Sequence, residues 1–157
     1  MSIERNLHIL AIDPATHCGW AHSNGIRGTW DLSIRRDESA GMRLIRLRGK
    51  LNEIKNIAGV DLLVFEAARN AGPRMQGAVV VQSELQSVIK VWCEDSRIQY
   101  RAYSPSEIKK FATGKGNAGK TDMIDAAERR FGTMFQDREH DLVDALWLLE
   151  LAIRDAS

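Results

Sequence analysis

Two short apolar runs constrain the fold of this chain more than any other feature: LHILAID at residues 7–13 and DLLVFE at residues 61–66. Each has the length of a buried strand, and each ends in an acid. After the first run, Asn24-Gly25 separates two further strand-like segments, 17–23 and 26–32, and this dipeptide is a strong hairpin signal. The first third therefore reads as a three-strand antiparallel meander. Residues 38–57 then have helical periodicity, with Leu44, Leu47, Leu51 and Ile54 on one face.

Beyond the second run, the stretch from Arg74 to about Glu94 lacks proline and reads as a long helix, and 97–103 (RIQYRAY) alternates like a strand. Ser104-Pro105 opens a short helix through about Ala112, with proline in its first turn. A glycine-rich loop, TGKGNAG, leads into two helices near 121–131 and 141–154. The order β-β-β-α-β-α-β-α-α predicts an α/β domain, a mixed sheet with helices on both faces. Neither a repeat nor a linker divides residues 1–157, so one domain is expected.

Composition narrows the function. Hydrophobic residues at 44% and charged residues at 27% fit a globular chain rather than a disordered one. No apolar run approaches the ~20 residues of a membrane span, and residues 1–13 lack the pattern of a secretory signal. Cys18 and Cys93 have no zinc spacing and read as free thiols, so a cytoplasmic protein without membrane attachment is expected. The net charge of +1 does not announce a nucleic-acid binder, but its distribution is uneven. Between Arg97 and Lys120, six basic residues face one acid, Glu107. A second cluster holds Arg35, Arg36, Arg43, Arg46, Arg48 and Lys50 against Asp37 and Glu38. Such patches bind phosphate or form solvated helix faces, and charge alone does not choose between these.

The acids point to chemistry. Adjacent strands ending together place Asp13 and Glu66 at one sheet edge, where α/β proteins build sites. Asp141 and Asp144 fall three residues apart on the last helix, about 60° apart around its axis. They are expected on the side away from Leu142, Leu146 and Leu149. Each acid has an ordinary explanation too: Asp13 as a turn residue before Pro14, Glu66 as a surface acid, Asp141 as a helix cap. Together they form a set in which mutual repulsion is relieved by hard divalent cations, magnesium or manganese rather than zinc. Two such ions about 4 Å apart bind both the attacking water and the leaving oxygen of a phosphodiester.

Four segments in this order resemble the RuvC family of Holliday-junction resolvases, within the RNase H-like fold: AIDPATHCGWA (11–21), VFEAAR (64–69), YSPSEIKKFATGKGNAGKTDM (103–123) and HDLVDALWLLELA (140–152). The resemblance covers most of the chain. It implies a five-stranded sheet of an antiparallel meander plus parallel strands, and resolution of four-way junctions and related branched DNA by homodimers. It also implies Asp13, Glu66, Asp141 and Asp144 as ligands of two Mg2+ ions, with Mn2+ able to substitute. Lys120 falls where the family has a lysine near the scissile phosphate, and Lys109 where it has one near the DNA. Lys110, Lys115 and Arg69 extend the expected DNA-binding set, and His140 is an accessory candidate. Some relatives carry a bulky aromatic just after the glutamate; Ala67, Ala68 and Arg69 stand there in this chain.

One motif competes. GKGNAGKT, residues 114–121, satisfies the pattern of a nucleotide-binding P-loop, as in an ATPase. A P-loop needs a buried strand directly before it, whereas SPSEIKKFA reads as a polar helix, so no nucleotide cofactor is expected. The same fold and basic patches would also suit a junction-binding module without catalysis, although the intact set of four acids speaks against it. An RNase H-like nuclease acting on RNA or replication forks would share the acids themselves. The long helix carries Val79, Val80, Val81, Leu85, Val88, Ile89 and Trp92 over more than one stripe. Part of that surface is expected to cover the sheet and the rest to meet a second subunit, unless all of it packs inside one monomer.

Overall fold

The computed structural model describes residues 6–68 and 77–157. Five strands form one mixed sheet: β1 (Ile9–Asp13), β2 (His17–His22), β3 (Arg27–Asp31), β4 (Leu62–Glu66) and β5 (Gln99–Tyr103). Their spatial order is β3-β2-β1-β4-β5. The first three pair antiparallel as the expected meander, and β4 and β5 add in parallel on the other side of β1. The hairpin turns at Asn24-Gly25, where Gly25 has a φ of 101°, a backbone region open to glycine.

The helices are α1 (Gly41–Ala58), α2 (Ala78–Ser96), α3 (Pro105–Thr113), α4 (Lys120–Phe131) and α5 (His140–Ala156). Strand alternation sends Leu10, Ile12, Leu63 and Phe65 to one face, where Leu47 and Leu51 of α1 and Leu85 and Ile89 of α2 cover them. Ile9, Ala11 and Val64 point to the opposite face, into a core with α3, α4 and α5. The sheet is therefore covered on both faces, as the order of elements in the sequence predicts.

Three elements differ from expectation. Helix α1 starts at Gly41 rather than residue 38, because Glu38 closes a turn: its carboxylate accepts from Arg35 N at 2.7 Å and pairs with Arg46. Strand β5 does not alternate; it is an edge strand, and residues 99–102 are all exposed. Helix α5 is buried nearly all round, since Val143, Trp147, Leu148 and Leu151 are as enclosed as Leu142 and Leu146. The expected separation of an acidic side from an apolar side fails for that reason. Leu148 and Leu151 follow Asp144 at the i+4 and i+7 positions, so the acid-bearing face continues into the core. The expected start of the long helix at Arg74 lies outside the described residues.

Candidate metal and nucleic-acid site

The parallel register of β1 and β4 aligns Ile12 with Phe65. The next residues, Asp13 and Glu66, end their strands side by side. They follow the alternation of Ile9, Ala11 and Val64, so both belong to the face covered by α5. The first turns of α5 bring Asp141 and Asp144 to the same edge. This approach depends on Gly19 of β2: a Cβ there would overlap the Asp141 carbonyl and lie 2.7 Å from Leu142 N.

Asp13, Glu66 and Asp144 each place a carboxylate oxygen within 4.8 Å of the other two. Asp141 is not part of that trio. It stands beside His140, with Nε2 of the imidazole 3.3 Å from Oδ1, while His140 Nδ1 lies 3.3 Å from the Asp137 carbonyl. All four acids line one cavity of about 420 Å³, together with Lys109 and Lys120.

The electrostatics follow from this crowding. Asp13 is 5% exposed. Burial holds its carboxyl well above the usual range, and the charges of Glu66 and Asp144 raise it further. Asp144 is pushed up to about 7, first by burial and then by Glu66 and Asp141, with Lys109 and Lys120 opposing the shift. The same lysines that line the cavity thus act on its acids. A cluster that resists ionisation and offers only carboxylate oxygens fits a hard divalent cation.

Lys109 lies on α3, whose start is fixed by a capping box: Ser104 Oγ accepts from Glu107 N, Glu107 accepts from Ser104 N, and Pro105 fills the first turn. Lys120 is the first residue of α4, at the positive end of the helix dipole. Lys110 faces a different cavity, with Phe111 and Arg154. Lys115 is exposed in the α3–α4 connection, its N–H donating to Thr113 Oγ1 at 3.1 Å. Arg69 lies outside the described residues. In the second basic cluster, Arg43 donates to the Leu32 carbonyl and Arg46 to the Ser33 carbonyl, so these two brace the β3–α1 connection.

The P-loop pattern has the wrong context. GKGNAGKT runs from the end of helix α3 into α4, so a helix stands where a nucleotide-binding loop needs a strand. Sequence reasoning missed two polar residues of α2. Gln82 lines the cavity, and Gln86, one turn further along α2, accepts from Ala68 N at 2.8 Å. Their i, i+4 spacing on a largely apolar helix is the signal that could have found them.

Sheet order, helix placement and edge acids define an RNase H-like fold with a carboxylate-rich site. No family model matches the chain. Among solved structures the fold is that of RuvC. Thermus thermophilus RuvC aligns with a TM-score of 0.69 at 19% identity, over 90% of this chain and 90% of that one. The same protein in complex with Holliday junction substrate aligns with a TM-score of 0.72 at 19% identity, over 91% and 90%. The yeast mitochondrial Holliday junction resolvase Ydc2 aligns with a TM-score of 0.59 at 12% identity, over 90% of this chain and 75% of that one.

Proposed function

We propose that this chain is a magnesium-dependent, structure-selective DNA endonuclease that resolves four-way junctions. The observation that carries the reading is the trio Asp13, Glu66 and Asp144 at the sheet edge with Lys109 and Lys120 in the same cavity. The fold it occupies is shared with a RuvC solved on its junction substrate.

In this reading Asp13, Glu66 and Asp144 would hold the cation, with Asp141 completing the set for a second ion. A metal held there would supply positive charge to the phosphodiester and would lower the pKa of water. The protein holds the acids ready: two sit on strand ends and two on a helix embedded in the core, so little reorganisation is needed. Lys120, at the amino end of α4, donates to a phosphate oxygen where negative charge develops. Lys109 contacts the adjacent backbone, with Lys110, Lys115 and Arg69 as outer contacts. His140 orients Asp141.

A four-way junction presents two strands to cut, which a two-fold homodimer matches. Exposed Val80 and Val91 on α2 support a second subunit there. Among the described residues no helix is long and apolar enough to cross a membrane. A DNA substrate and the free thiols of Cys18 and Cys93 support a cytoplasmic location in this reading.

The test compares wild-type protein on a four-way junction, a replication fork, a flap and linear duplex in Mg2+. Preferential, symmetric nicking of the junction is expected. Equal cutting of all four substrates, or cutting of RNA instead, would replace junction resolution with a broader nuclease activity.

A further inference from the structure

Helix α2 carries a buried apolar stripe of Leu85, Ile89, Trp92 and Cys93. Two amides stand beside that stripe: Gln86 is half-buried and Gln82 lines the acid cavity. A leucine at 86 would continue the apolar stripe, and an amide placed there costs free energy unless it is bonded. Gln86 is bonded: its Oε1 accepts the Ala68 N–H at 2.8 Å, across 18 residues of sequence.

That N–H is two residues past Glu66. The sheet ladder carries β4 only slightly further, because Glu66 aligns with Tyr103 and Ala67 N donates to the Tyr103 carbonyl at 2.8 Å. On the β1 side the register ends at Ile12 and Phe65, one residue before the acids. Ala68 N–H is therefore the first backbone donor of this strand beyond the sheet, and a side chain of α2 supplies its acceptor. Glu66 meanwhile places a carboxylate oxygen within 4.8 Å of those of Asp13 and Asp144, and the Gln86 bond holds the chain just beyond it.

We infer that Gln86 is a positioning residue: by clamping Ala68 to α2 it fixes the end of β4 and presents the Glu66 carboxylate at metal-binding distance from Asp13 and Asp144. The inference rests on the metal-site reading of the acid trio, and it deepens that reading by adding a partner outside the ligand set. Outer partners that orient ligands typically change metal affinity or activity by about 10–100-fold.

The experiment measures Mn2+ binding directly, by calorimetry on the full chain without DNA, for wild type, Gln86→Met and Gln86→Glu. Methionine keeps the volume and helix propensity but removes the acceptor. Glutamate keeps an oxygen in the same place. Gln86→Met is expected to bind Mn2+ about tenfold more weakly, with an unchanged circular dichroism spectrum. Gln86→Glu is expected to remain within about threefold of wild type or to bind more tightly, since its carboxylate still accepts the Ala68 N–H. Wild-type affinity in Gln86→Met overturns the inference, as does equal weakening in both variants or an absence of Mn2+ binding by wild type. If wild type binds Mn2+ but leaves junction DNA uncut, the nuclease reading fails while the binding series still decides the role of Gln86.

Discussion

The two sides of the acid cavity are built from different materials. On one side, Asp13 and Glu66 end buried strands, and Asp144 sits on a helix enclosed by core residues. On the other, Lys109 stands midway along α3 and Lys120 opens α4, and the glycine-rich connection between the two helices is largely exposed. The acid side holds like charges close together, an arrangement that is unfavourable without a cation. The lysine side is less enclosed: Lys120 is exposed and Lys109 half-buried. In the proposed reading the acids hold the metal and the lysines meet the DNA phosphates, and the contrast predicts different consequences for mutation on each side.

The largest effect is expected on the acid side. Asp13→Asn and Asp144→Asn should each lower junction cleavage by on the order of 10³-fold or more, while junction binding persists. The same changes relieve repulsion, so thermal unfolding in EDTA should show a gain of about 0.5–2 kcal/mol, the range common for single stabilising substitutions. Loss of both activity and stability would contradict the picture of a site held against its own charge.

Gly19→Ala follows. The added methyl overlaps the backbone of α5 at Asp141, so the helix must shift. A stability loss of roughly 1–3 kcal/mol is expected from overpacking, and cleavage should fall with it because Asp141 and Asp144 move together. Unchanged melting and unchanged cleavage would show that α5 is not fixed by this contact.

On the lysine side, Lys120→Ala should slow cleavage about 100-fold, with stability within about 0.5 kcal/mol of wild type because the residue is exposed. Lys109→Ala should have a smaller effect, mainly on junction affinity and its salt dependence. If Lys120→Ala were as destabilising as Gly19→Ala, the two sides would not be distinct.

The smallest effect is a pH dependence. Asp13 and Asp144 keep their protons to higher pH in the folded chain than in the unfolded one, Asp144 up to about 7. Between the ordinary carboxylate range and that value, the native state binds more protons, so stability falls as pH rises through this window. In EDTA the protein should therefore melt at a lower temperature at about pH 8 than at about pH 5.5. Mg2+ should raise the melting temperature more at the higher pH, where the acids are ionised. A melting temperature that rises with pH in EDTA would count against the buried acid cluster.

The acids were more legible than their surroundings. An apolar strand that ends in Asp or Glu is visible in one dimension, and the meander is marked by Asn24-Gly25. Helix α5 defeats an amphipathic reading because it is packed on almost every side, which leaves no polar face to separate Asp144 from Leu148. The fourth acid, Asp141, reaches the cavity but stands with His140 outside the close trio, a matter of side-chain direction that spacing does not encode. The arginine cluster near residue 43 has the composition of a phosphate patch, yet Arg43 and Arg46 are committed to carbonyls of the β3–α1 connection. Gln86 and Gly19 act through contacts between residues distant in sequence, on an amide and a carbonyl that no motif displays.

The most direct test is to incubate the purified wild-type chain with a synthetic four-way DNA junction in Mg2+, and separately in Mn2+, and to map the products at nucleotide resolution. The account predicts paired nicks at symmetric positions in opposing strands, lost in Asp144→Asn. A junction left intact in both metals by folded wild-type protein would contradict it.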